Sequence, residues 1–326
     1  MKLIAEAIAG SKRSLAKIIS HVESRTPESQ EILKEIYRKS GNEFSLGITG
    51  PPGAGKSTLI GVLAERLLDK GYRLGIVAID PTSPFSGGAF LGDRLRFMGL
   101  TGKDGIYIRS MASRGYRGGI NRGLINIIRI LGAVGYDFVI VETVGTGQNE
   151  VDIGMVADMT ILVMVPDGGD EIQLLKSGST EIADVFLVNK ADHEGAGTLI
   201  SRLLEFQQMK RSRLKVFQTV ATEGEGVEEL ETFLINQYQS FKKGEPWISR
   251  RKERLRWEIG HLLEHEIGNG IKAILDENQS FVNGLVKKVL VGGDDPYSLI
   301  EKISVTILSR FENILTKRNE RTHPKK

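Results

Sequence analysis

A short apolar run, Phe44-Ser45-Leu46-Gly47-Ile48-Thr49, leads straight into Gly50-Pro51-Pro52-Gly53-Ala54-Gly55-Lys56-Ser57 and then into an amphipathic stretch ending near Lys70. Strand, glycine-rich turn and helix in that order leave few folds open, because a strand end, a backbone curl and a helix amino terminus must meet at one point. The pattern is that of a phosphate-binding loop. Its glycines let successive N–H groups wrap around phosphate oxygens, Lys56 reaches the outer phosphates, and Ser57, followed by Thr58, offers a hydroxyl to a magnesium ion. A second run, Val185-Phe186-Leu187-Val188, ends at Asn189-Lys190-Ala191-Asp192. An Asp just past a strand can accept both the N1–H and the exocyclic amine of guanine, a pairing adenine cannot make, while the Lys190 stem packs on the purine ring. Asn189, Lys190 and Asp192 therefore read the base, and the two motifs together point to GTP/GDP rather than ATP.

Composition narrows the class further. A chain of 326 residues with 40% hydrophobic content suits one substantial domain with appended elements. The net charge of +3, with both signs mixed throughout, gives no case for a nucleic-acid partner. There is no cysteine, which excludes disulfides, thiolate metal sites and thiol catalysis and suits a cytoplasmic protein. No apolar run approaches the length of a membrane span, and Met1-Lys2-Leu3-Ile4-Ala5-Glu6 breaks its apolar pattern with charge too early for a secretory signal.

Residues 1–43 read as an N-terminal helical extension, with two helices between Leu3 and Ser40 and Thr26-Pro27 opening the second. Residues 44–243 alternate strand-like and helical patterns. Besides the two strands above, Leu74 to Ile79, Phe138 to Val141 and Thr160 to Val165 stand out. The expectation is an α/β fold, a P-loop NTPase with a mainly parallel central sheet flanked by helices. Residues 244–326 lack strand signals and form a C-terminal helical appendage. There Leu255, Ile259, Leu262, Ile267, Ile271 and Ile274 recur at helical spacing, as do Leu299, Ile300, Ile303, Ile307, Phe311 and Ile314. This apolar face suits a dimerisation arm or packing on the same subunit, and the sequence leaves both open.

Three carboxylates lie where a magnesium-dependent hydrolase needs them: Asp80 at the end of the second strand, Asp93 in the loop beyond it, and Glu142 at the end of the strand from Phe138. Magnesium takes one or two direct protein ligands and keeps its waters, so Ser57 is the firmest ligand, and Asp93 or Glu142 holds metal waters or positions the attacking water. The plainer alternatives are that Asp80 caps the turn before Pro81 and that Asp93 caps a helix. Glu142-Thr143-Val144-Gly145 stands where many GTPases carry Asp-x-x-Gly, so the Gly145 N–H is the natural sensor of the terminal phosphate, and Gln148 is a candidate to position water. Catalysis of this kind is mostly positioning and electrostatic stabilisation, which predicts slow turnover until a partner completes the site. The segment Gly168 to Gly178 reads either as an ordinary strand-to-helix loop or as a further switch in which Asp170, Glu171 or Lys176 changes partners with the nucleotide.

Taken together the residues resemble the MeaB/ArgK-type GTPases that attend adenosylcobalamin-dependent methylmalonyl-CoA mutase. The likeness runs through Gly10-Ser11-Lys12-Arg13-Ser14-Leu15-Ala16, Val22-Glu23-Ser24-Arg25, the phosphate loop, Ala78-Ile79-Asp80-Pro81-Thr82-Ser83, Leu91-Gly92-Asp93-Arg94, Val141 to Gly145, Gly169-Asp170-Glu171 and Asn189 to Asp192. The resemblance implies a G protein chaperone, commonly dimeric, whose GTP cycle gates adenosylcobalamin delivery to the mutase and protects or reactivates it. It also implies that the Gly168 to Gly178 segment is an additional switch facing the mutase. Two departures stand out. Arg109-Ser110-Met111-Ala112 replaces a common Arg-Pro-Ser-Pro, which leaves the client acyl-CoA mutase undetermined. Val220-Ala221 replaces the usual Ser-Ala, leaving backbone N–H groups near Ala221 for guanine O6.

Other readings fare worse. A nickel-loading GTPase would need metal-relay ligands, and the chain has no cysteine and only His261 and His265 close together. Those two with Glu264 spell His-x-x-Glu-His, a zinc-peptidase motif without its surrounding domain. An ATP-dependent transport kinase is opposed by Asp192. The run Arg250-Arg251-Lys252-Glu253-Arg254-Leu255-Arg256 reads as a solvated helix face rather than a nucleic-acid grip.

Overall fold

The computed structural model describes residues 2–24, 26–80, 91–112, 119–143, 153–166, 180–210, 214–244, 247–277, 279–293, 295–299 and 301. They fall in two compact units, residues 1–254 and 255–326. The first is built on a seven-stranded sheet whose strands are β1 (Phe44–Thr49), β2 (Leu74–Asp80), β3 (Ile106–Ala112), β4 (Phe138–Glu142), β5 (Met159–Met164), β6 (Val185–Asn189) and β7 (Lys215–Thr219). Their order is β3-β2-β4-β1-β5-β6-β7, and every pairing is parallel. Such a sheet must be covered on both faces, which is why its central strands are apolar throughout rather than alternating. Along β5, Ile161 and Val163 enter one core with α4 (Lys56–Asp69), while Leu162 and Met164 enter the other.

Among the described residues, α5 (Gly119–Ala133) precedes β4, α6 (Ala196–Lys210) lies between β6 and β7, and α7 (Val227–Lys242) follows β7. Leu199 and Leu203 of α6 fill the core shared with β6, and Leu230, Leu234 and Tyr238 of α7 fill the one shared with α4. Residues Leu91–Leu100 form a 3₁₀ helix whose Phe97 and Leu100 are buried in that same core.

The amino-terminal segment holds three helices where two were expected: α1 (Lys2–Ile8), α2 (Lys12–Glu23) and α3 (Ser29–Tyr37). Gly10 turns the chain at a φ of 100°, and Ser11 caps α2 by accepting from the Ser14 N–H. Nor does Thr26 supply the side-chain cap of α3, because its hydroxyl is bonded to His21 Nδ1 at 3.0 Å. The segment is fastened to the sheet layer by ion pairing of Arg109 on β3 with Glu23, and by Arg129 on α5, which donates to the Tyr37 hydroxyl and stacks on its ring.

Helix α8 (Trp247–Glu277) opens with the arginine run, of which Lys252, Glu253 and Arg256 are exposed as expected, while Arg250, Arg251 and Arg254 turn to the protein. Arg250 pairs with Asp184 at 2.7 Å, and Arg251 donates to the Gly41 and Glu43 carbonyls. Arg251 and Arg254 reach the same oxygen of Asp158, at 3.4 and 3.2 Å. Asp158 is 2% exposed and also accepts from the N–H and hydroxyl of Ser45 at 2.9 and 2.6 Å. Burial pushes its carboxyl up, but the two guanidinium groups and the Ser45 donors outweigh that and leave it below the ordinary range. In the second unit, α8 runs on and is followed by α9 (Gln279–Leu290). Leu255, Ile259, Leu263 and Ile267 are spaced by four residues along α8 and are 38 to 57% exposed. Among the described residues no helix is long and apolar enough to cross a membrane.

Replacing the buried Asp158 by Ala strands two partly buried arginines and both Ser45 donors, so we expect a loss of about 3–5 kcal/mol in urea unfolding at neutral pH. Because its folded pKa is lowered, the stabilisation is present above the ordinary carboxylate range and is lost as pH falls through the folded value. An Asp158→Ala variant within 1 kcal/mol of the parent at pH 7, by that measurement, would refute the clamp.

Candidate functional site

The phosphate loop leaves β1 in the middle of the sheet, between β4 and β5, at the carboxyl end where ligands of such sheets bind. Two glycines in it have no substitute. Gly50 adopts a φ of 140°, and a Cβ there would fall 2.1 Å from the Val163 carbonyl oxygen of β5. Gly55, at a φ of 80°, would drive a Cβ to 2.3 Å from the Asn189 side-chain nitrogen. The curl ends where α4 begins, so the amino terminus of the helix, with the positive end of its dipole, lies at the loop. Lys56 is 7% exposed and folds over the loop, its Nζ donating to the Gly50 and Pro51 carbonyls at 2.7 and 2.8 Å. An anion in the loop would offer the same ammonium stronger acceptors.

Asn189 ties the loop to the base-reading side. Its amide donates to the Ala54 carbonyl at 2.8 Å and accepts from the Thr219 hydroxyl at 3.0 Å and the Ala221 N–H at 3.1 Å. The asparagine is 2% exposed, and these three bonds make it a fixed wall of the pocket. The Ala221 N–H is likewise engaged here, by the Asn189 carbonyl oxygen. Lys190 sits at a φ of 55°, a conformation a side chain adopts only when its surroundings impose it. Here the Ala191 N–H bonds to Thr219 O and the His193 N–H to Lys190 O. That turn leaves the Asp192 side chain 52% exposed, with His193 Nε2 at 4.0 Å.

On the phosphate side the Ser57 hydroxyl donates to Glu142 Oε1 at 2.6 Å. Glu142 is 3% exposed, and burial pushes its carboxyl above the ordinary range against the opposing pull of Ser57, Arg96 and Lys56. Beside it the Thr143 hydroxyl donates to Thr49 at 2.8 Å, locking the ends of β1 and β4 together. Hydroxyl and carboxylate oxygens of this kind suit a hard divalent cation, so Ser57 and Glu142 fit magnesium. Asp80 closes β2 and Asp93 lies in the 3₁₀ helix, placed here by backbone alone. Gly145, Gln148, Asp170, Glu171 and Lys176 lie outside the described residues. His261 and Glu264 form an exposed pair at 2.9 Å, and among the described residues no three metal-binding side chains cluster. One member of the site was missed by the sequence reading: Arg96, whose Nη1 lies 3.4 Å from Ser57 Oγ and 3.9 Å from Glu142 Oε1. The signal available was a cation one turn beyond Asp93.

A family model described as methylmalonyl-CoA mutase-associated GTPase MeaB matches residues 15–275. A Pyrococcus horikoshii protein named as a GTPase is 38% identical over 316 residues, which are 95% of this chain and 98% of its own. The mouse protein named methylmalonic aciduria type A homolog, mitochondrial, is 32% identical over 283 residues, covering 78% of this chain and 67% of its own. Among solved structures, one described as an LAO/AO transport system kinase superposes with a TM-score of 0.66 at 25% identity, covering 94% of this chain and 97% of that one.

Burial of Glu142 has a cost that appears only when it is ionised. With its folded pKa raised, that cost is absent below the ordinary carboxylate range and complete once pH exceeds the folded value. Glu142→Gln should therefore raise Tm at pH 8 by about 2–4 °C while abolishing the metal site, the gain vanishing toward pH 4. Calorimetry showing the same gain at both pH values would refute the assignment.

Proposed function

The chain belongs to the MeaB family of methylmalonyl-CoA mutase-associated GTPases, and from that membership we propose that it is a GTP-driven chaperone for an adenosylcobalamin-dependent acyl-CoA mutase. It binds guanine nucleotide and hydrolyses GTP, as its P-loop fold and GTPase relatives indicate. The finer reading is that its GTP cycle gates delivery of adenosylcobalamin to methylmalonyl-CoA mutase, or a related mutase, and protects or reactivates that enzyme. The single observation that carries the site is the Asn189 bridge, which holds the phosphate loop and the Lys190–Asp192 turn in one rigid unit.

Each residue then has a task. Gly50, Pro51, Pro52, Gly53, Ala54 and Gly55 wrap their backbone around the phosphates, Lys56 exchanges its loop carbonyls for phosphate oxygens, and Thr58 lies in the first turn of α4. Asp192, exposed at its turn, accepts from guanine, and Lys190 packs on the ring. Ser57 and Glu142 would hold magnesium, and Asp93 is assigned to the same metal. When bound, the metal neutralises charge on the β- and γ-phosphates. Asp80, Gly145 and Gln148 are assigned to orienting the terminal phosphate and water, and Asp170, Glu171 and Lys176 to signalling toward the mutase. Catalysis of this kind is mostly positioning and electrostatic stabilisation, so turnover is expected to be slow until the mutase completes the site.

The mouse relative's name, which refers to methylmalonic aciduria, supports this client. The half-exposed apolar stripe of α8 supports a homodimer, and a chain without cysteine suits the cytoplasm. The kinase named for the solved structure is a competing reading, and nucleotide choice separates the two. Purified protein should hydrolyse GTP in preference to ATP, and methylmalonyl-CoA mutase should accelerate it. Lys56→Ala should abolish turnover, and Asp192→Asn should lose at least about tenfold in GTP affinity. Unchanged GTP affinity in the second variant would sink the base assignment, and GTP turnover indifferent to the mutase would sink the client.

A further inference from the structure

Arg96 is the one cation that meets both Ser57 and Glu142 among the described residues, and it does so from an element outside the two nucleotide motifs. Its place is fixed from below. Phe97 and Leu100 anchor the 3₁₀ helix in the core at 2% and 3% exposure, while the Arg96 side chain is 38% exposed at the surface. A cavity of about 530 Å³, lined by Ser57, Thr58, Gly61, Glu65 and Arg96, adjoins the head group and gives it room to move. The carboxylate lining that cavity, Glu65, is paired with Lys103 at 2.6 Å.

The two oxygens that Arg96 approaches are those that fit a hard divalent cation. A guanidinium and a divalent cation cannot share them, since like charges in contact repel strongly in a partly buried site. Once the metal takes Ser57 and Glu142, the Arg96 guanidinium is pushed off those two oxygens. Lys56 and Ser57 are consecutive at the start of α4, so the outer phosphates lie directly beside the position Arg96 leaves. The planar fork of arginine matches phosphate oxygens two at a time, which a lysine cannot do.

We propose that Arg96 is a phosphate-binding residue of this GTPase: it rests on the Ser57–Glu142 pair, is displaced when a divalent cation takes those oxygens, and then pairs with the terminal phosphate of GTP. The inference rests on the GTP-site reading above. It makes Arg96 a sensor of triphosphate against diphosphate that is coupled to the metal.

Binding of fluorescent GDP and of a fluorescent non-hydrolysable GTP analogue, titrated with Mg²⁺ and with EDTA, tests it without reference to turnover. In Mg²⁺, Arg96→Ala should bind the GTP analogue about tenfold more weakly and GDP less than about twofold more weakly. In EDTA the variant should match the parent for both nucleotides. Arg96→Lys, which keeps the charge and loses the fork, should recover only part of the analogue affinity. Equal weakening for both nucleotides, full recovery by lysine, or no change in a parent that binds both normally would overturn the proposal. A parent that binds neither nucleotide would instead overturn the GTP-site reading, and this proposal with it.

Discussion

One buried amide holds the nucleotide site together. Asn189 lies at the end of β6, yet its three hydrogen bonds reach the phosphate loop at Ala54 and the β7 end at Thr219 and Ala221. Each of those segments is a strand-end loop, the class of structure most free to drift, and the asparagine removes that freedom without adding a contact that a ligand must displace. A shorter or charged side chain would leave a buried carbonyl, hydroxyl or N–H unpaired, at a cost of about 1–3 kcal/mol each. The same packing explains Gly55, since the amide occupies the space a Cβ would need. Base recognition and phosphate recognition therefore share one geometric reference.

The other half of the site is held under tension. Glu142 sits at the end of a fully buried strand, where a carboxylate is costly, and only Ser57, Arg96 and Lys56 offset the burial. A neutral residue would fold better there. Retaining the charge in such a place is the pattern expected of a group kept for chemistry rather than for stability. It also means that anything adding positive charge beside Glu142 relieves a strain already built into the fold, which couples cation binding to the ends of β1 and β4 through the adjoining Thr49–Thr143 bond.

How much of this was legible followed burial. The five strands that stand out in the sequence are β1, β2, β4, β5 and β6, and all five lie inside the sheet with their residues buried. The edge strands β3 and β7 carry Ile106-Tyr107-Ile108-Arg109-Ser110-Met111-Ala112 and Lys215-Val216-Phe217-Gln218-Thr219, mixed sequences because one side of each has no neighbouring strand. The phosphate loop and the base turn were legible because their geometry demands particular residues at fixed spacing. The engagement of the Ala221 N–H, the role of Asn189 as a bridge and the reach of Arg96 were not, since each depends on which distant loops the fold brings together. The split of the first 40 residues into three helices hinged on a single glycine turn at Gly10 followed by a serine cap, a weaker mark than Thr26-Pro27.

The arginine run of α8 shows the same limit with a different consequence. By composition it is a basic surface helix, and what makes it structural is Asp158, a carboxylate almost a hundred positions earlier that is already committed to Ser45 of β1. Arg254 donates to the Val156 carbonyl at 2.6 Å, and Ile153 packs where Gly47 of β1 has no side chain. Residues 153–158 lead into β5 and follow the stretch of chain that departs from Glu142 and Thr143. The first turns of α8 are thus clamped to the segment that ends this stretch. An ion pair whose carboxylate is buried yields in steps rather than gradually, because half-broken geometry leaves that charge unpaired. The clamp is consequently suited to passing on a discrete rearrangement and to resisting a small one.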